Sequence, residues 1–398
     1  MDRNSNQGNR APGGVCLWLV LACALAGCAT APEGGRWVRT GDPIVDGKTA
    51  IAQGPARDRV LWQYRTAVAA MRLGQFAEAR ALLDDALATL GGIHGPDPEA
   101  RRARGLFSPE ARKGFLGEPF ERVMAYYYRG MLYWMDGEID NARACFRSAQ
   151  FLDSDAENQE YANDYVLLDY LDGFATVKLG GDGSEALARA RKNARLAQPQ
   201  DFEADANLLF FVEFGRGPKK YAAGEYGEQL RFLPGSSKVK AVRMRVVDRV
   251  LEARPYDDLT FQATTRGGRV MDHVLGNKAV FKRTTDSLGT GAIIGGAIMA
   301  SQPGHDSPVD EIGAGLMVAG LLSKIISAAT TPAADTRAWD NLPQYLSFAT
   351  SRLSPGDYDL EFEFMDGGGN PIIDRTRQVR VRVEPDRDTV VFVSDNNP

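Results

Sequence analysis

Tyr126-Tyr-Tyr-Arg-Gly130-Met-Leu-Tyr133-Trp-Met-Asp136-Gly137-Glu-Ile139-Asp-Asn-Ala142-Arg-Ala-Cys145-Phe146-Arg-Ser-Ala149 is the stretch whose reading decides the fold. Apolar and small residues recur at spacings of three and four on both sides of Asp136-Gly137, which predicts two helices joined by a tight turn. Gly137 permits the reversal, and the small side chains of Gly130, Ala142 and Ala149 let the helices approach closely. The bulky ring of Phe146 then fills the space against a neighbouring pair.

The same spacing occurs upstream. From Arg57 to about Leu90, Leu61, Tyr64, Val68, Met71 and Leu73 form one stripe. Phe76, Ala79, Leu82, Leu83, Ala86 and Leu87 form a second, beyond Leu73-Gly74-Gln75-Phe76. Superposing Gly74 on Gly137 aligns Phe76 with Ile139, Ala79 with Ala142, Leu83 with Phe146 and Ala86 with Ala149. A more degenerate copy runs from Asp164 through Gly181 to Ala197, with Ala186 and Ala190 at the small positions and Pro199 ending it. These offsets resemble the tetratricopeptide repeat. Between the first two copies, Gly91 to Pro119 reads as an extended loop with a short helix at Pro98–Arg104.

After Pro199 the pattern turns to strands. Asn207 to Phe214 is an apolar, aromatic-rich strand candidate, and Gly215-Arg-Gly-Pro218 ends it. Val239 to Leu251 predicts a strand, Pro255 to Ala263 contains another, and Val270 to Thr285 predicts a helix. Tyr358 to Phe364 and Thr376 to Val383 predict a hairpin across Asp366-Gly-Gly-Gly-Asn370, and Asp388 to Ser394 adds a last strand. The expected fold class is α+β. TPR-like α-helical hairpin repeats occupy 56–200, and a β-rich domain occupies 201–398, with a glycine-rich helical hairpin at about 286–330. That hairpin spans Gly289-Thr-Gly291 to Ala329 and reads as buried, membrane-inserting or self-associating. A nucleotide fingerprint there would need a preceding strand and a βαβ unit, and the preceding segment reads as helix.

The N-terminus addresses location. Arg3 and Arg10 form a positive n-region, and Val15 to Ala24 an apolar h-region too short to span a bilayer. Leu25-Ala26-Gly27-Cys28 follows and resembles a bacterial lipobox. The resemblance implies that residues 1–27 are a lipoprotein signal peptide and that Cys28 is the acylated first residue of the mature protein. Ala29, where Asp would retain the protein at the inner membrane, implies the periplasmic leaflet of the outer membrane. An ordinary secretory signal is the alternative. Residues 28–55, rich in Gly, Pro, Ala and Thr, read as a flexible tether.

Composition narrows the function. The net charge is −5, and losing Arg3, Arg10 and Asp2 lowers it by one more, so no excess of positive charge points to nucleic acid. Of four cysteines, Cys16 and Cys23 leave with the signal and Cys28 takes lipid. Cys145 alone remains, as a packed core thiol with no partner for a disulfide. His94, His273 and His305 lack ligand spacing, no nucleophile elbow occurs, and no cofactor or metal is expected. Asp164, Asp169 and Asp172 read as a solvated helix face. The chain is expected not to be an enzyme.

Two clusters remain as candidates. Tyr127, Tyr128 and Trp134 crowd one helix, where they serve either as core or as an open groove for a partner peptide. Asp335, Arg337 and Trp339 read as a structural corner, Arg337 pairing with a carboxylate while Trp339 fills a cavity beside Pro343. Together with the lipobox and the helical repeats, three phrases resemble an uncharacterised bacterial lipoprotein family with a tetratricopeptide-like N-terminal half. They are Phe211-Val-Glu-Phe-Gly215-Arg-Gly-Pro218-Lys219-Lys220, Ala334-Asp335-Thr-Arg337-Ala-Trp339-Asp-Asn-Leu342-Pro343 and Leu353-Ser-Pro-Gly356. The expected role is a non-enzymatic periplasmic scaffold or adaptor that binds envelope proteins through its repeats. The alternative is an accessory of an export or cell-wall synthesis assembly, inserting or oligomerising through the glycine-rich hairpin.

Overall fold

A computed structural model of the chain describes residues 38–93, 114–153, 164–225, 227–265 and 334–398. The expected signal peptide with Cys28, the helices expected at Pro98–Arg104 and Val270–Thr285, and the glycine-rich hairpin expected at 286–330 all lie outside these residues.

Three helical hairpins succeed one another: α2 (Arg59–Arg72) with α3 (Phe76–Ile93), α4 (Pro119–Met135) with α5 (Ile139–Asp153), and α6 (Val166–Lys178) with α7 (Ser184–Asn193). Each first helix ends in the same way. Gly74, Gly137 and Gly180 have φ of +71°, +83° and +80°, and the following backbone N–H of Gln75, Glu138 and Gly181 reaches back to the carbonyls of Ala70, Tyr133 and Thr176. This is a Schellman closure, which requires a left-handed residue that glycine adopts without a Cβ clash. In the third hairpin the left-handed residue is Gly180, one before the Gly181 that sequence alignment selects. The turn there is two residues longer, which is why that copy reads as degenerate.

Counting back from these glycines exposes a repeat the stripes had hidden. Ten residues before each stands a tyrosine (Tyr64, Tyr127, Tyr170), and seven before each a small residue (Ala67, Gly130, Gly173). The small residue sits where the paired helix crosses. A Cβ on Gly130 would lie 2.6 Å from the Phe146 ring.

A further helix, α1 (Pro43–Gln53), lies in the stretch expected to be a tether. Asp42 caps it by accepting from the N–H groups of Ile44 and Val45, Pro43 sits at the first turn, and Ile44, Gly47 and Ala50 are buried. A cap and three inward-facing positions suffice for a short helix that has α2 to pack on.

Among the described residues the strands form two four-stranded sheets and a separate hairpin. The inner sheet has the order β10-β1-β7-β6, built from β10 (Thr389–Ser394), β1 (Leu208–Phe214), β7 (Tyr345–Ser351) and β6 (Pro255–Asp258). Its β1–β10 pair is parallel and the others antiparallel. The outer sheet has the order β5-β4-β8-β9, from β5 (Arg249–Ala253), β4 (Ala241–Val246), β8 (Gly356–Met365) and β9 (Arg377–Val383). The hairpin pairs β2 (Lys219–Ala223) with β3 (Gln229–Leu233).

Alternation along β1 shows how the layers stack. Leu209 and Phe211 join the helices' core, while Leu208, Phe210, Val212 and Phe214 join a second core shared with Val242, Met244, Phe362 and Phe364 of the outer sheet. A strand covered on both faces is apolar nearly throughout, and in the run Leu208 to Phe214 the one charged residue, Glu213, is paired with Arg72. The order of layers is therefore helices, inner sheet, outer sheet. The outward face of the outer sheet is a charge ladder, with Asp357 and Glu361 of β8 paired to Arg382 of β9 and Arg245 of β4.

One strand expectation changes, and the strand expected within Pro255 to Ala263 is located. Val239 to Leu251 is not one strand but the hairpin β4–β5, reversing at Val247 (φ +54°) and Asp248. Pro255 to Ala263 is strand only to Asp258, whose side chain caps the helix α8 (Leu259–Thr264) by accepting from Thr260 N–H.

Candidate functional site

The segment Ala334–Pro343 threads between α2, α4 and the β2–β3 hairpin and builds the corner around Arg337 and Trp339. Trp339 is buried and stacks on Tyr64, ring centroids 4.3 Å apart and planes 16° from parallel. Its backbone N–H donates to Glu121 at 2.8 Å. Glu121 also receives Lys220 Nζ and the Glu118 N–H, so one buried carboxylate ties α4, β2 and the corner together. Arg337 forks between Asp335 and Asp58, both at 2.6 Å. Burial alone would lower its guanidinium, but these two carboxylates hold it above its ordinary value. Phe115 lies under both Arg337 and Lys220, within 5.6 and 5.3 Å of the cations.

Beside this corner opens a cleft of about 430 Å³, lined by Asp58, Trp62, Arg65, Lys219, Arg337 and Asp340 among others. Arg65 stacks over the Trp62 ring at 5.1 Å, donates to the Ala338 carbonyl at 2.7 Å and pairs with Asp340 at 2.8 Å. Lys219 makes no ion pair with any described residue and leaves a cation at the rim. Phrases separated by more than a hundred residues, Lys219-Lys220 and Asp335 to Trp339, meet here. Trp62 and Arg65 were not singled out in the sequence because they lie one step off the Leu61–Tyr64–Val68 stripe, where a helix normally meets water. An aromatic wall beside paired guanidiniums and one unshared ammonium suits recognition of an acidic, partly apolar surface.

The other candidate cluster is corrected. Tyr127, Tyr128 and Trp134 line no open groove; they are 2%, 0% and 0% exposed. Tyr127 packs on Phe211 of β1 at 6.1 Å, Tyr128 donates its hydroxyl to Glu213, and Trp134 Nε1 donates to Asp388 at 2.9 Å. The face that could have held a peptide is filled by the chain's own inner sheet. The three equivalent tyrosines seat the three hairpins: Tyr64 on Trp339, Tyr127 on Phe211, Tyr170 on Phe348 at 5.8 Å.

Asp164, Asp169 and Asp172 are likewise buried rather than solvated. Asp169 takes Gln150 at 2.7 Å and Arg189 at 3.1 Å, and Asp172 takes Arg143 at 2.9 Å, so both bridge α5, α6 and α7. Burial pushes Asp169 up to about 6 against the pull of Arg189. Near the start of α6, Asp257 of β6 receives the N–H groups of Val166 and Leu167, each at 2.9 Å. Burial drives its carboxyl to about 8, with Asp164 and Asp153 adding repulsion. Cys145 is buried, and burial raises its thiol to about 11.

Among the described residues no group of three metal-ligating side chains converges, and no helix is long and apolar enough to cross a membrane. The geometry defines a three-layer protein of mixed α and β structure with a cationic, aromatic-walled cleft at the junction of its helices and a β-hairpin. Comparison with protein families, with characterised proteins and with solved structures finds no match to this chain.

Proposed function

We propose that the protein is a lipid-anchored scaffold of the bacterial outer membrane, held by acylated Cys28 on the periplasmic leaflet and docking another envelope protein without catalysing a reaction. The anchor rests on the run from Arg3 to Cys28 and its likeness to a lipobox. The spacing of tyrosine, small residue and left-handed glycine in three hairpins supports a TPR-like reading of the helical layer. Such layers bind partners on a concave face, but here the inner sheet occupies that role, so docking moves to the outer corner.

The observation that carries the reading is the Trp62–Arg65–Lys219 cleft, an aromatic wall with an unshared cation on a rigid junction of three elements. Tryptophan and arginine are enriched at protein interfaces, and the Lys219 charge would steer an acidic partner to them. The test places a photo-crosslinking amino acid at Trp62 in living cells. The expected result is a discrete adduct with one envelope protein, lost on Lys219→Glu and on Cys28→Ala. No adduct, or one indifferent to both substitutions, overturns the proposal. An adduct with an export or cell-wall synthesis component would make the protein an accessory of that assembly.

A further inference from the structure

A second cleft, of about 500 Å³, opens between α3, α4 and α5. Small-molecule sites run to about 300–1,000 Å³, so it has room for a single compact ligand. Leu90 of α3, Tyr126 of α4 and Phe151 of α5 give it apolar walls, and Arg122 of α4 and Arg147 of α5 bring guanidiniums to it. Each of the two helices thus contributes an arginine and, one turn further on, an aromatic ring.

Two features distinguish it from an ordinary groove between helices. Phe151 is 77% exposed, a large apolar surface held against water at the cleft. Arg147 makes no ion pair with any described residue, whereas Arg129 is tied to Asp84 and Arg143 to Asp172. An apolar channel with an uncompensated cation is complementary to a ligand with the opposite pattern.

We propose that this cleft binds an amphipathic carboxylate, an acyl chain whose single anionic head meets Arg147 and Arg122 while its body lies along Leu90, Tyr126 and Phe151. A planar guanidinium matches a carboxylate with two parallel hydrogen bonds, and the volume suits one chain. The site is independent of the corner cleft and of any protein partner docked there.

The probe is dodecanoate carrying a photoactivatable diazirine, irradiated with the purified full chain and mapped by mass spectrometry. Labelling is expected around Leu90 and Phe151, saturable and displaced by unlabelled dodecanoate but not by dodecanol. Arg147→Gln should weaken binding about tenfold, the loss of one charge-assisted contact. Phe151→Ala should weaken it as well. Both side chains are exposed, so unchanged thermal unfolding of each variant confirms an intact fold. Scattered labelling, equal displacement by dodecanol, stronger displacement by dodecyl phosphate, or indifference to Arg147→Gln overturns the proposal.

Discussion

Arg72 at the end of α2 and Glu213 on β1 meet at 2.7 Å, with 2% and 1% of their side chains exposed, in the seam between the helical layer and the inner sheet. Arg72 also donates to the Asn341 carbonyl at 2.8 Å, and Tyr128 donates its hydroxyl to the same carboxylate. One ion pair therefore joins the first hairpin, the second hairpin, the central strand and the corner segment. Two buried charges cost desolvation that their attraction repays only with such extra hydrogen bonds.

Removing one partner strands the other in the seam. Arg72→Met should destabilise the protein by about 3–5 kcal/mol in urea unfolding. Combining it with Glu213→Leu and Tyr128→Phe should restore most of that loss, because an apolar seam leaves no charge behind. Additive losses across the three substitutions would show that the pair holds the layers by packing rather than by charge.

Gly130→Ala tests the crossing of α4 and α5. The added methyl would sit 2.6 Å from Phe146 in a filled core, so a loss of about 1–3 kcal/mol is expected despite alanine's better helix propensity. Phe146→Leu in the same chain should recover part of it. A stabilised Gly130→Ala variant in thermal unfolding would contradict the close crossing.

Arg337→Lys keeps the charge but loses the fork between Asp335 and Asp58. An ammonium cannot reproduce those bonds, and the expected cost is about 1–2 kcal/mol in denaturant midpoint, with Asp58→Asn adding little further. Full additivity of the two substitutions would mean that the side chains act separately.

Asp257 gives a pH dependence whose sign follows from its environment. Burial raises its carboxyl from the ordinary range to about 8, so the folded state holds a proton that the unfolded chain releases near pH 4. Its contribution is complete below that pH and is lost as pH rises through about 8, with a slope of at most about 1.4 kcal/mol per pH unit. Asp257→Asn does not titrate. It should be less stable than the parent at pH 5, and the gap should narrow by pH 8 in parallel urea titrations. A gap that widens would show the helix amides of Val166 and Leu167 holding the carboxylate ionised.

Periodicity made the hairpins legible, because a helix buried on one side must repeat its apolar residues near every third or fourth position. It misplaced the third turn by one residue, since Gly180 and Gly181 are chemically identical in sequence and differ only in backbone dihedral. The corner residues Asp335, Arg337 and Trp339 were visible because a tryptophan and two opposite charges within five positions are conspicuous in an otherwise irregular stretch. Trp62 and Arg65 were not, since their importance depends on a strand and a loop that fold against them from far along the chain. Asp169 and Asp172 of α6 looked solvated because the arginines and the amide that accompany them into the interior come from α5 and α7.

Local physics alone determined the helical hairpins, the doubly covered strand Leu208 to Phe214 and the terminal β8–β9 hairpin. Each follows from spacing, turn residues and apolar runs that act over a few positions. Only the tertiary structure decided that Tyr127, Tyr128 and Trp134 are core. An aromatic face offers the same apolar area to a foreign peptide or to the chain's own sheet, and β1 and β10, covalently attached, hold it at an effective concentration that a separate partner does not match.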